Sequence, residues 1–581
     1  MCGILGGDFS GWDYRKGISS LHHRGPDGNR VEKVERFTLA FTRLAIQDLS
    51  IRGMQPMSSA DGKVWLLYNG EIYGFEALKR QLKEKYSFQS TSDTEVILAA
   101  YLIFGDAFID KIDGMFAIAI LDLRERHLKL YRDRVGIKPL FYHYNDEGIA
   151  FASELKAMET ASQGQYKRWH FNRTAFFDYL YYGYIPAPKT MYENCYELPP
   201  AHCLVYDIDR KKIVSKQEYW QLKVNCHTSR TRRKEDIAAD LRDLIHQSVK
   251  EQLISDVPVG TFLSGGIDSS IVTYEAAQWS PNIEAFSIGF QDKAYDESRY
   301  AKEFAEKYHI NLETKMFQQE DFLSLKTAFP KWYDEPFADT SSFPTYFVSE
   351  LARKKVTVVL TGDGGDELFG GYQRYRNYVK LLEHKKIDSY FFDAITKKMD
   401  MKLLVPERFY TKWLAAGVEL YKPYIFHIKD IDAYRYHTKW NIPRDYDPTW
   451  YLRQHYQKDL PPMTRACYLD FKTYLPGDIL TKVDRTSMSV SLESRVPLLS
   501  RTLVEYAFSL SSDERCDAMN LKRVLKESYQ DVLGEKMIRR KKRGFSIPPY
   551  YRVIAYKPIT EIMLKVWQDY KSQMRQNLML N

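Results

Sequence analysis

The sequence has no uninterrupted apolar run near the roughly 18 residues that a membrane-spanning helix needs, so we expect no membrane-embedded segment. Its amino end lacks the basic segment and following apolar run of a secretory signal. Its six cysteines include no CxxC pair and no tight disulfide framework, which leaves no zinc signature and is typical of a reducing compartment. These absences predict a cytoplasmic protein without a membrane partner.

The chain also lacks a large excess of charge of one sign. It carries 84 basic and 76 acidic residues, and the net charge of +8 is spread over 581 residues. One dense basic run, “KMIRRKKRGF” (536–545), has the composition of a solvated face. Nucleic-acid binders typically show a dispersed basic face with stacking aromatic residues, so we expect no nucleic-acid partner. A GxxxxGK(S/T) phosphate loop is absent as well.

The chain is too long for one core, and its 581 residues alone suggest about three or four domains. In roughly the first 150 residues, short apolar runs alternate with Gly, Asp and Asn turns, and “DTEVILAAYLIFG” (93–105) has a helical pattern. This favours helices packed on sheets. Further along, “VGTFL” (259–263), “IEAFSIGF” (283–290) and “VTVVL” (356–360) alternate with helical patterns, which predicts a parallel sheet covered by helices.

A polar, basic segment, “QLKVNCHTSRTRRKE” (221–235), separates the two parts. Residues 375–465 have a mostly helical pattern and contain no motif that we can interpret. We predict a first domain over 2–215, a linker over 216–234, a second domain over 235–560 and a carboxyl-terminal tail over 561–581.

A cysteine follows the first methionine directly, in “MCGILGG” (1–7). It could stand there by chance. Alternatively, removal of Met1 leaves Cys2 with a thiol and a free α-amine on one carbon, so that the residue carries a nucleophile and its own base. The α-amine titrates near pH ~8 and a free thiol near ~8.5. Position alone does not separate the two interpretations.

In the second part, the turn “SGGIDSS” (264–270) connects an apolar strand to a helix. Gly265 and Gly266 let backbone amides approach a ligand, and a helix amino end suits phosphate or pyrophosphate. Asp268 has the wrong charge to hold phosphate directly but the right charge for a bridging Mg²⁺. Glycine–serine turns are common, but the whole string after a strand is more specific. It indicates a nucleotide site.

A second glycine-rich turn follows a later strand, in “VTVVLTGDGGDELFGGY” (356–372). Asp363, Asp366 and Glu367 cluster there, beyond the carboxyl end of the strand, where open α/β sheets bind ligands. A solvated acidic loop would have the same composition. Because “SGGIDSS” belongs to the same predicted sheet, carboxylates that hold Mg²⁺ on a nucleotide are the better interpretation.

With these motifs, the chain resembles the glutamine-dependent asparagine synthetases, which are class II amidotransferases of the asparagine synthase type. The matching stretches of the first part are “MCGILGG”, “HRGPDG” (23–28), “TRLAIQDLS” (42–50), “MQPM” (54–57), “YNGEIY” (68–73), “SDTEVIL” (92–98), “GMFAIAILD” (114–122) and “RDRVGIKPLFY” (132–142). Those of the second part are “SGGIDSS”, “DEPFADTSSFPTY” (334–346), “TGDGGDELFGGY” (361–372), “DRTSMSVSLESRVPLL” (484–499) and “RRKKRGFSIP” (539–548). The resemblance covers nearly the full chain except about 375–465.

This resemblance implies a two-domain α/β fold. An amino-terminal-nucleophile glutaminase with an αββα sandwich would be fused to a doubly wound, parallel-sheet ATP-pyrophosphatase domain with a PP-loop. In the first domain, Cys2 would attack the side-chain amide of glutamine, ammonia would leave and water would hydrolyse the thioester. Asn69 and Gly70 would form the oxyanion hole. The residues implied for glutamine binding are Arg43, Leu44, Ile46, Asn69, Gly70, Glu71 and Asp93, with Arg43 on the α-carboxylate and Asp93 on the α-ammonium.

In the second domain, a substrate carboxylate would attack the α-phosphate of ATP, and ammonia would displace AMP from the acyl-adenylate. Asp268 and Asp366 would hold Mg²⁺ and the pyrophosphate. Lys542 would stabilise the adenylating transition state, and Asp363 and Asp478 would lie near the acceptor. The residues implied for ATP binding are Phe262, Leu263, Ser264, Gly265, Gly266, Asp268, Ser269, Ser270, Ile288, Thr361 and Gly362.

Some positions depart from the family pattern and leave the acceptor open. Gly74 replaces a usual Asn, Ala201 a usual Gly and Ser500 a common Asp, while Asp363 is Glu in some members. We expect amidation of aspartate to asparagine. The alternative is the same chemistry on another carboxylate, such as a uronic acid of a surface polysaccharide or a peptide carboxylate. The partners would be small molecules, and the resemblance allows a homodimer.

Overall fold

The computed structural model describes residues 2–165, 169–227, 232–292, 296–318, 320–321, 325, 328–382, 442–443 and 445–540. Lys542, the predicted tail 561–581 and most of the helical region predicted over 375–465 lie outside the described residues. Within the described part, no helix has the length and apolar character to cross a membrane.

The first domain is built on two antiparallel sheets of six strands each. The strands are β1 (Gly3–Gly7), β2 (Gly28–Val34), β3 (Phe37–Arg43), β4 (Met57–Ser58), β5 (Val64–Tyr73), β6 (Asp113–Asp122), β7 (His127–Arg132), β8 (Phe141–Asn145), β9 (Gly148–Ala152), β10 (Cys195–Glu197), β11 (His202–Asp207) and β12 (Lys212–Glu218). One sheet has the order β10-β8-β9-β1-β3-β2 and the other β12-β11-β7-β6-β5-β4. The strand β1, which follows Cys2, is therefore interior to its sheet.

Helices cover the outer faces of the two sheets, which gives the predicted αββα sandwich. They are α1 (Tyr14–Ser19), α2 (Glu76–Leu82), α3 (Asp93–Phe104), α4 (Leu155–Ala161) and α5 (Arg173–Tyr182). Helices α1 and α4 pack on the sheet of β1, while α3 packs on the sheet of β5. Between the sheets, Ile4 and Phe41 from one sheet meet Leu67 and Leu130 from the other in a buried apolar cluster.

The second domain contains a five-stranded sheet in which every pair of neighbours is parallel. Its strands are β13 (Val259–Phe262), β14 (Glu284–Phe290), β15 (Asn311–Phe317), β16 (Val358–Leu360) and β17 (Glu493–Arg495), in the order β15-β14-β13-β16-β17. The chain first steps from β13 towards β15 and then returns to β16 and β17, so the sheet is doubly wound as expected. The direction reverses between β13 and β16, which is where open α/β sheets bind ligands.

Helices accompany each step of this sheet. Among the described residues, the helices of the second domain are α6 (Lys234–Gln252), α7 (Ile267–Trp279), α8 (Ser298–Lys307), α9 (Phe329–Trp332), α10 (Ser342–Arg353), α11 (Gly365–Phe369), α12 (Trp450–Arg453), α13 (Pro462–Lys472), α14 (Thr481–Met488), α15 (Arg501–Ser509), α16 (Ser512–Arg515), α17 (Arg523–Ser528) and α18 (Gln530–Arg539). A π-helical turn at Leu475–Leu480 leads into α14. Because crossovers are right-handed, α7 and α8 lie on one face, and α10 and α14, which contact each other, lie on the other.

A buried ion-pair cluster joins the two domains through Arg24. Its Nη1 lies 2.8 Å from both Oε1 of Glu154 and Oδ2 of Asp484 on α14, and its Nη2 donates to Oδ1 of Asp484 over 3.1 Å. The Arg24 side chain is fully buried and Asp484 is 3% exposed. Burial opposes ionisation of Asp484, but Arg24 and Lys138 hold the pKa of its carboxyl below the ordinary value. The domains are therefore held by paired charges that water does not reach.

We expect D484N to destabilise the folded chain by about 3 kcal/mol, because it leaves the buried Arg24 with one fewer compensating charge. A fall in the urea midpoint of unfolding would measure this. Folding lowers the pKa of Asp484, so its contribution to the free energy of unfolding is complete above the pKa of the unfolded state, about 3.9. The contribution is lost as the pH falls through the pKa of the folded state. The free energies of unfolding of wild type and D484N should therefore converge in strong acid. D209N, which breaks a 2.8 Å surface pair with Arg126, is the control and should change nothing measurable. Equal midpoints for D484N and wild type at pH 7 would contradict the prediction.

Candidate active sites

The first candidate site surrounds Cys2, whose side chain is buried at the start of β1. Its backbone N–H donates to Oδ1 of Asn69 over 3.0 Å, and its sulfur lies 3.9 Å from the carbonyl oxygen of Leu44. Arg24 donates from Nε to the Cys2 carbonyl over 3.2 Å, which fixes the backbone from the other side. Burial raises the pKa of the Cys2 thiol. The thiol is therefore protonated at rest, and its use as a nucleophile requires a nearby base.

Strand β5 brings Asn69 and Gly70 next to Cys2. Asn69 is fully buried, and its Nδ2 has no hydrogen-bond partner among the described residues. A Cβ on Gly70 would lie 2.0 Å from the carbonyl oxygen of Met115, so only glycine allows β5 and β6 to pair here. Buried amide donors are normally paired, and an unpartnered one beside a thiol is suited to a ligand that carries negative charge.

Arg43 is the last residue of β3, the strand that lies next to β1 in the sheet. Its Nη1 donates to the Ser50 carbonyl over 2.7 Å, and its Nη2 donates to the Asp48 carbonyl. These bonds fix the plane of the guanidinium, as binding of a carboxylate requires. Leu44 and Ile46 follow it and pack with Val358 and Met488 of the second domain in a small apolar cluster.

Asp93 occupies the first turn of α3. The helix begins there because the Ser92 hydroxyl accepts from the Thr94 N–H over 3.2 Å and caps it. Oδ2 of Asp93 accepts from the Tyr68 hydroxyl over 2.9 Å and from the Ile72 N–H over 3.2 Å. Burial raises the pKa of the Asp93 carboxyl. A carboxylate in this environment is stabilised by a cationic partner, such as an ammonium group.

Glu71 lies between these groups and the second domain. Its Oε1 accepts from Nε2 of Gln47, and its Oε2 is 3.4 Å from Nη2 of Arg495 on β17. Burial and Asp93 raise the pKa of Glu71 well above the ordinary value, and Arg495 counteracts them. The site thus combines a thiol, an unpartnered amide donor, a fixed guanidinium and two buried carboxylates.

The second candidate site lies at the carboxyl ends of β13 and β16. After β13, the turn at 264–270 is held by its own hydroxyls: Ser264 Oγ and Ser269 Oγ are 2.9 Å apart, and the Gly266 N–H donates to Ser264 Oγ over 3.3 Å. Gly265 has a φ of +73°, and a Cβ there would lie 2.7 Å from the backbone nitrogen of Ala301. The turn is therefore pre-formed, with the amino end of α7 facing the switch point.

The loop after β16 packs directly on this turn. A Cβ on Gly362 would lie 2.7 Å from the backbone nitrogen of Ser269, and one on Gly365 would lie 2.6 Å from Cγ of Asp268. Thr361, at the start of the loop, is buried, as is Ile288 on β14, while Phe262 on β13 is half-buried. The remaining residues predicted to contact ATP, Leu263 and Ser270, are also buried near the turn. The structure thus brings the residues predicted to bind ATP from both motifs to one place.

Asp268 and Asp366 converge on one ammonium group. Nζ of Lys522 contacts Oδ2 of Asp268 and lies 2.6 Å from Oδ1 of Asp366. Lys522 is buried, and the two carboxylates raise the pKa of its ammonium against the effect of burial. Two carboxylates that reach a single cation are the kind of hard-oxygen donor set that Mg²⁺ takes together with phosphate oxygens. The predicted metal ligands therefore fit such an ion.

A third group of charges lies beside this site. Nζ of Lys482 on α14 is 3.6 Å from Oδ2 of Asp339, and the charges of Asp363 and Asp478 also raise the pKa of Lys482. Burial opposes ionisation of Asp339, yet Lys482 and Ser341 hold its pKa below the ordinary value, whereas burial and Asp339 raise the pKa of Asp478 well above it. The charges of Asp363 and Asp478, the two residues predicted near the acceptor, thus both act on the buried ammonium group of Lys482.

Several residues of these sites had no role in the sequence interpretation. Arg495 stands in the quoted stretch 484–499 and is fully buried, while Asp339 stands in 334–346 and is half-buried. Lys522 lies in none of the quoted motifs. Arg540, in the basic run, donates from Nη2 to the Gly265 carbonyl over 2.9 Å, so the described part of that run contacts the turn at 264–270. No local pattern singles out Arg495, since Glu493 and Ser494 directly precede it and apolar residues flank it only on the other side.

The chain is similar to known proteins over nearly all of its length. Residues 240–579 match the asparagine synthase family and residues 1–220 match the glutamine amidotransferase domain. Asparagine synthetase (glutamine-hydrolyzing) 1 of Bacillus subtilis is 32% identical, over 90% of this chain and 82% of that protein. Putative asparagine synthetase (glutamine-hydrolyzing) 2 of Methanocaldococcus jannaschii is 34% identical, over 84% of this chain and 98% of that protein. Amidase chry2 of Gibberella zeae is 24% identical, over 91% of this chain and 84% of that protein.

Proposed function

Because the chain belongs to the asparagine synthase family, we propose that it transfers the amide nitrogen of glutamine to a carboxylate that it activates with ATP, with aspartate as the acceptor and asparagine as the product. The observation that carries the proposal is that two chemically different sites are built into one folded unit. One combines Cys2 with the unpartnered Nδ2 of Asn69, and the other joins two glycine-rich loops at the switch point of a parallel sheet.

In the first half-reaction, Arg43 binds the α-carboxylate of glutamine and Asp93 its α-ammonium. This orientation places the side-chain amide at the Cys2 sulfur. After removal of Met1, the α-amine of Cys2 takes the thiol proton as the sulfur attacks the amide carbon, and it then protonates the departing ammonia. Asn69 Nδ2 and the Gly70 N–H stabilise the oxyanion of the tetrahedral intermediate. Water then hydrolyses the thioester to glutamate.

We expect N69A to lower kcat for glutamate release from glutamine by about 10²-fold, because a preorganised oxyanion donor contributes ~3 kcal/mol to the transition state. KM should change little, since the oxyanion forms only after binding. N29A is a matched control, because Asn29 is an exposed asparagine on β2 of the same domain. A loss that falls on KM while kcat is retained would place Asn69 in substrate binding instead.

In the second half-reaction, the amides at the start of α7 and the turn at 264–270 hold the phosphates of ATP. Asp268 and Asp366 would hold Mg²⁺, and the ion would supply positive charge to stabilise the departing pyrophosphate. The acceptor carboxylate attacks the α-phosphate, and pyrophosphate leaves. Ammonia then attacks the acyl carbon of the adenylate, which releases AMP and leaves an amide. Lys542, predicted to assist adenylation, belongs to the part of the chain outside the described residues.

Ammonia must pass from one site to the other without loss to water. A cavity between the domains is lined by residues of both, including Ile137 and Phe141 of the first and Gly477 of the second. Its lining includes Asp484, which pairs with Arg24 beside Cys2, and Gly477, which is next to Asp478 in the chain. This position supports the cavity as the path for ammonia.

The acceptor is tested by incubating the protein with glutamine, ATP and Mg²⁺ and measuring AMP with and without free aspartate. We expect AMP only with aspartate, and asparagine in equal amount. Glutamate release without aspartate-dependent AMP would favour the second candidate, which is the same chemistry on another carboxylate. The similarity, over 91% of this chain, to a protein that is named an amidase and not an asparagine synthetase is the observation behind that alternative.

A further inference from the structure

Arg495 is an arginine of the second domain that reaches the glutamine site of the first. It ends β17, and its side chain is fully buried. Its Nη2 lies 3.4 Å from Oε2 of Glu71 and has no hydrogen-bond acceptor among the described residues. A guanidinium nitrogen without an acceptor in a dry environment is costly, so it points to a ligand or a role in the pocket.

The other donors of Arg495 are fully engaged on the second domain. Nη1 donates to the carbonyls of Gln252 and Ile254, each over 2.7 Å, and Nε donates to Oε1 of Glu493 over 2.7 Å. The carbonyl of Arg495 accepts from the N–H of Thr361, the first residue of the nucleotide loop, over 2.9 Å. The guanidinium is therefore fixed by the parallel sheet, with one edge directed at the glutamine pocket.

Glu71 depends on this cation for its charge. The carboxyl is 4% exposed and lies near Asp93, and both features favour its protonated form. Arg495 opposes them. Without Arg495, Glu71 would favour its neutral form and keep only the hydrogen bond from Gln47, and the pocket would lose part of the negative field that attracts the ammonium group of glutamine.

We propose that Arg495 is a positioning residue of the glutamine site, which fixes the Glu71 carboxylate from the second domain so that the pocket is complete only when the two domains are packed together. The inference rests on the proposed function, because that function places Glu71 in the glutamine pocket.

The test is R495K, assayed by glutamate release from glutamine at varied concentration. Lysine keeps the charge but cannot bond to both carbonyls, Glu493 and Glu71 at once. We expect KM for glutamine to rise at least about 10-fold, with kcat within about threefold of wild type. R485K is the matched control: Arg485 is another buried arginine at the domain interface, 3.0 Å from Glu154, and it does not contact Glu71. KM in R485K should stay within about twofold of wild type.

E71Q extends the test, including the case in which R495K does not fold. E71Q alone should raise KM for glutamine, and R495K in the E71Q background should raise it less than about twofold further, because the pair is already broken. A wild-type KM in R495K, an equal rise in R485K, or full additivity with E71Q would overturn the proposal. If R495K does not fold while R485K and E71Q do, an unchanged KM for glutamine in E71Q would overturn the proposal. Absence of glutamate release from the wild-type protein would instead contradict the proposed function.

Discussion

Replacing Cys2 with alanine should lower glutamate release from glutamine by at least about 10³-fold, since the variant has no sulfur to form the thioester. AMP formation with ammonium chloride as the nitrogen source should stay within about threefold of wild type, in the presence of the acceptor that supports wild-type activity. Glutamate release and AMP formation should respond differently, because the ATP-dependent site shares no reacting group with Cys2. Glutamate and AMP are measured in the same reaction mixtures.

C203A is a matched control for this experiment. Cys203 lies on β11 of the same domain, is buried, and has a thiol pKa that burial raises to about 12, so it resembles Cys2 in burial but contacts none of the glutamine-site residues discussed. It should release glutamate at the wild-type rate. Retention of glutamate release by C2A above one tenth of the wild-type rate would show that another group is the nucleophile.

The sequence predicted those parts of the two sites that a short, continuous stretch of residues specifies by itself. The turn at 264–270 needs only its own glycines and hydroxyls to fold, because Ser264, Gly266 and Ser269 bond to one another. Its position after a strand and before a helix then determines that amides face the ligand. Local patterns predicted helices packed on sheets in the first domain and a parallel sheet covered by helices in the second, and the resemblance implied the αββα sandwich and the doubly wound order.

The parts that sequence interpretation missed are contacts between distant segments. Lys522 adopts a left-handed φ of +56° and lies between Asp268 and Asp366, although no motif surrounds it. Arg495 belongs to a strand of three residues, and its burial depends on Glu71 and Gln252 from elsewhere in the chain. A charged residue in a short strand is ordinarily taken as exposed. Only the packing of the two domains reveals that it is not.

The second large effect is expected from a substitution of Asp268, one of the two carboxylates that contact Lys522. We expect D268N to lower AMP formation by at least about 10³-fold and to leave glutamate release within about threefold of wild type. Asparagine has nearly the same size, so the close packing of Gly365 on residue 268 is kept. The variant loses one of the two carboxylates that would hold Mg²⁺, and metal stabilisation of the departing pyrophosphate is worth several kcal/mol, where ~4 kcal/mol corresponds to about 10³-fold.

D531N is the control for D268N, because Asp531 is an exposed carboxylate of the same domain in a 2.9 Å surface pair with Arg242. It should form AMP at the wild-type rate. In D268N, Lys522 keeps Asp366 as a partner, so the fold should persist, which a thermal midpoint close to that of wild type would verify. If D268N formed AMP at more than one tenth of the wild-type rate at saturating Mg²⁺, Asp268 would be a structural partner of Lys522 and the metal would be held elsewhere. If glutamate release fell in parallel with AMP, the two sites would be coupled far more tightly than their separate reacting groups require.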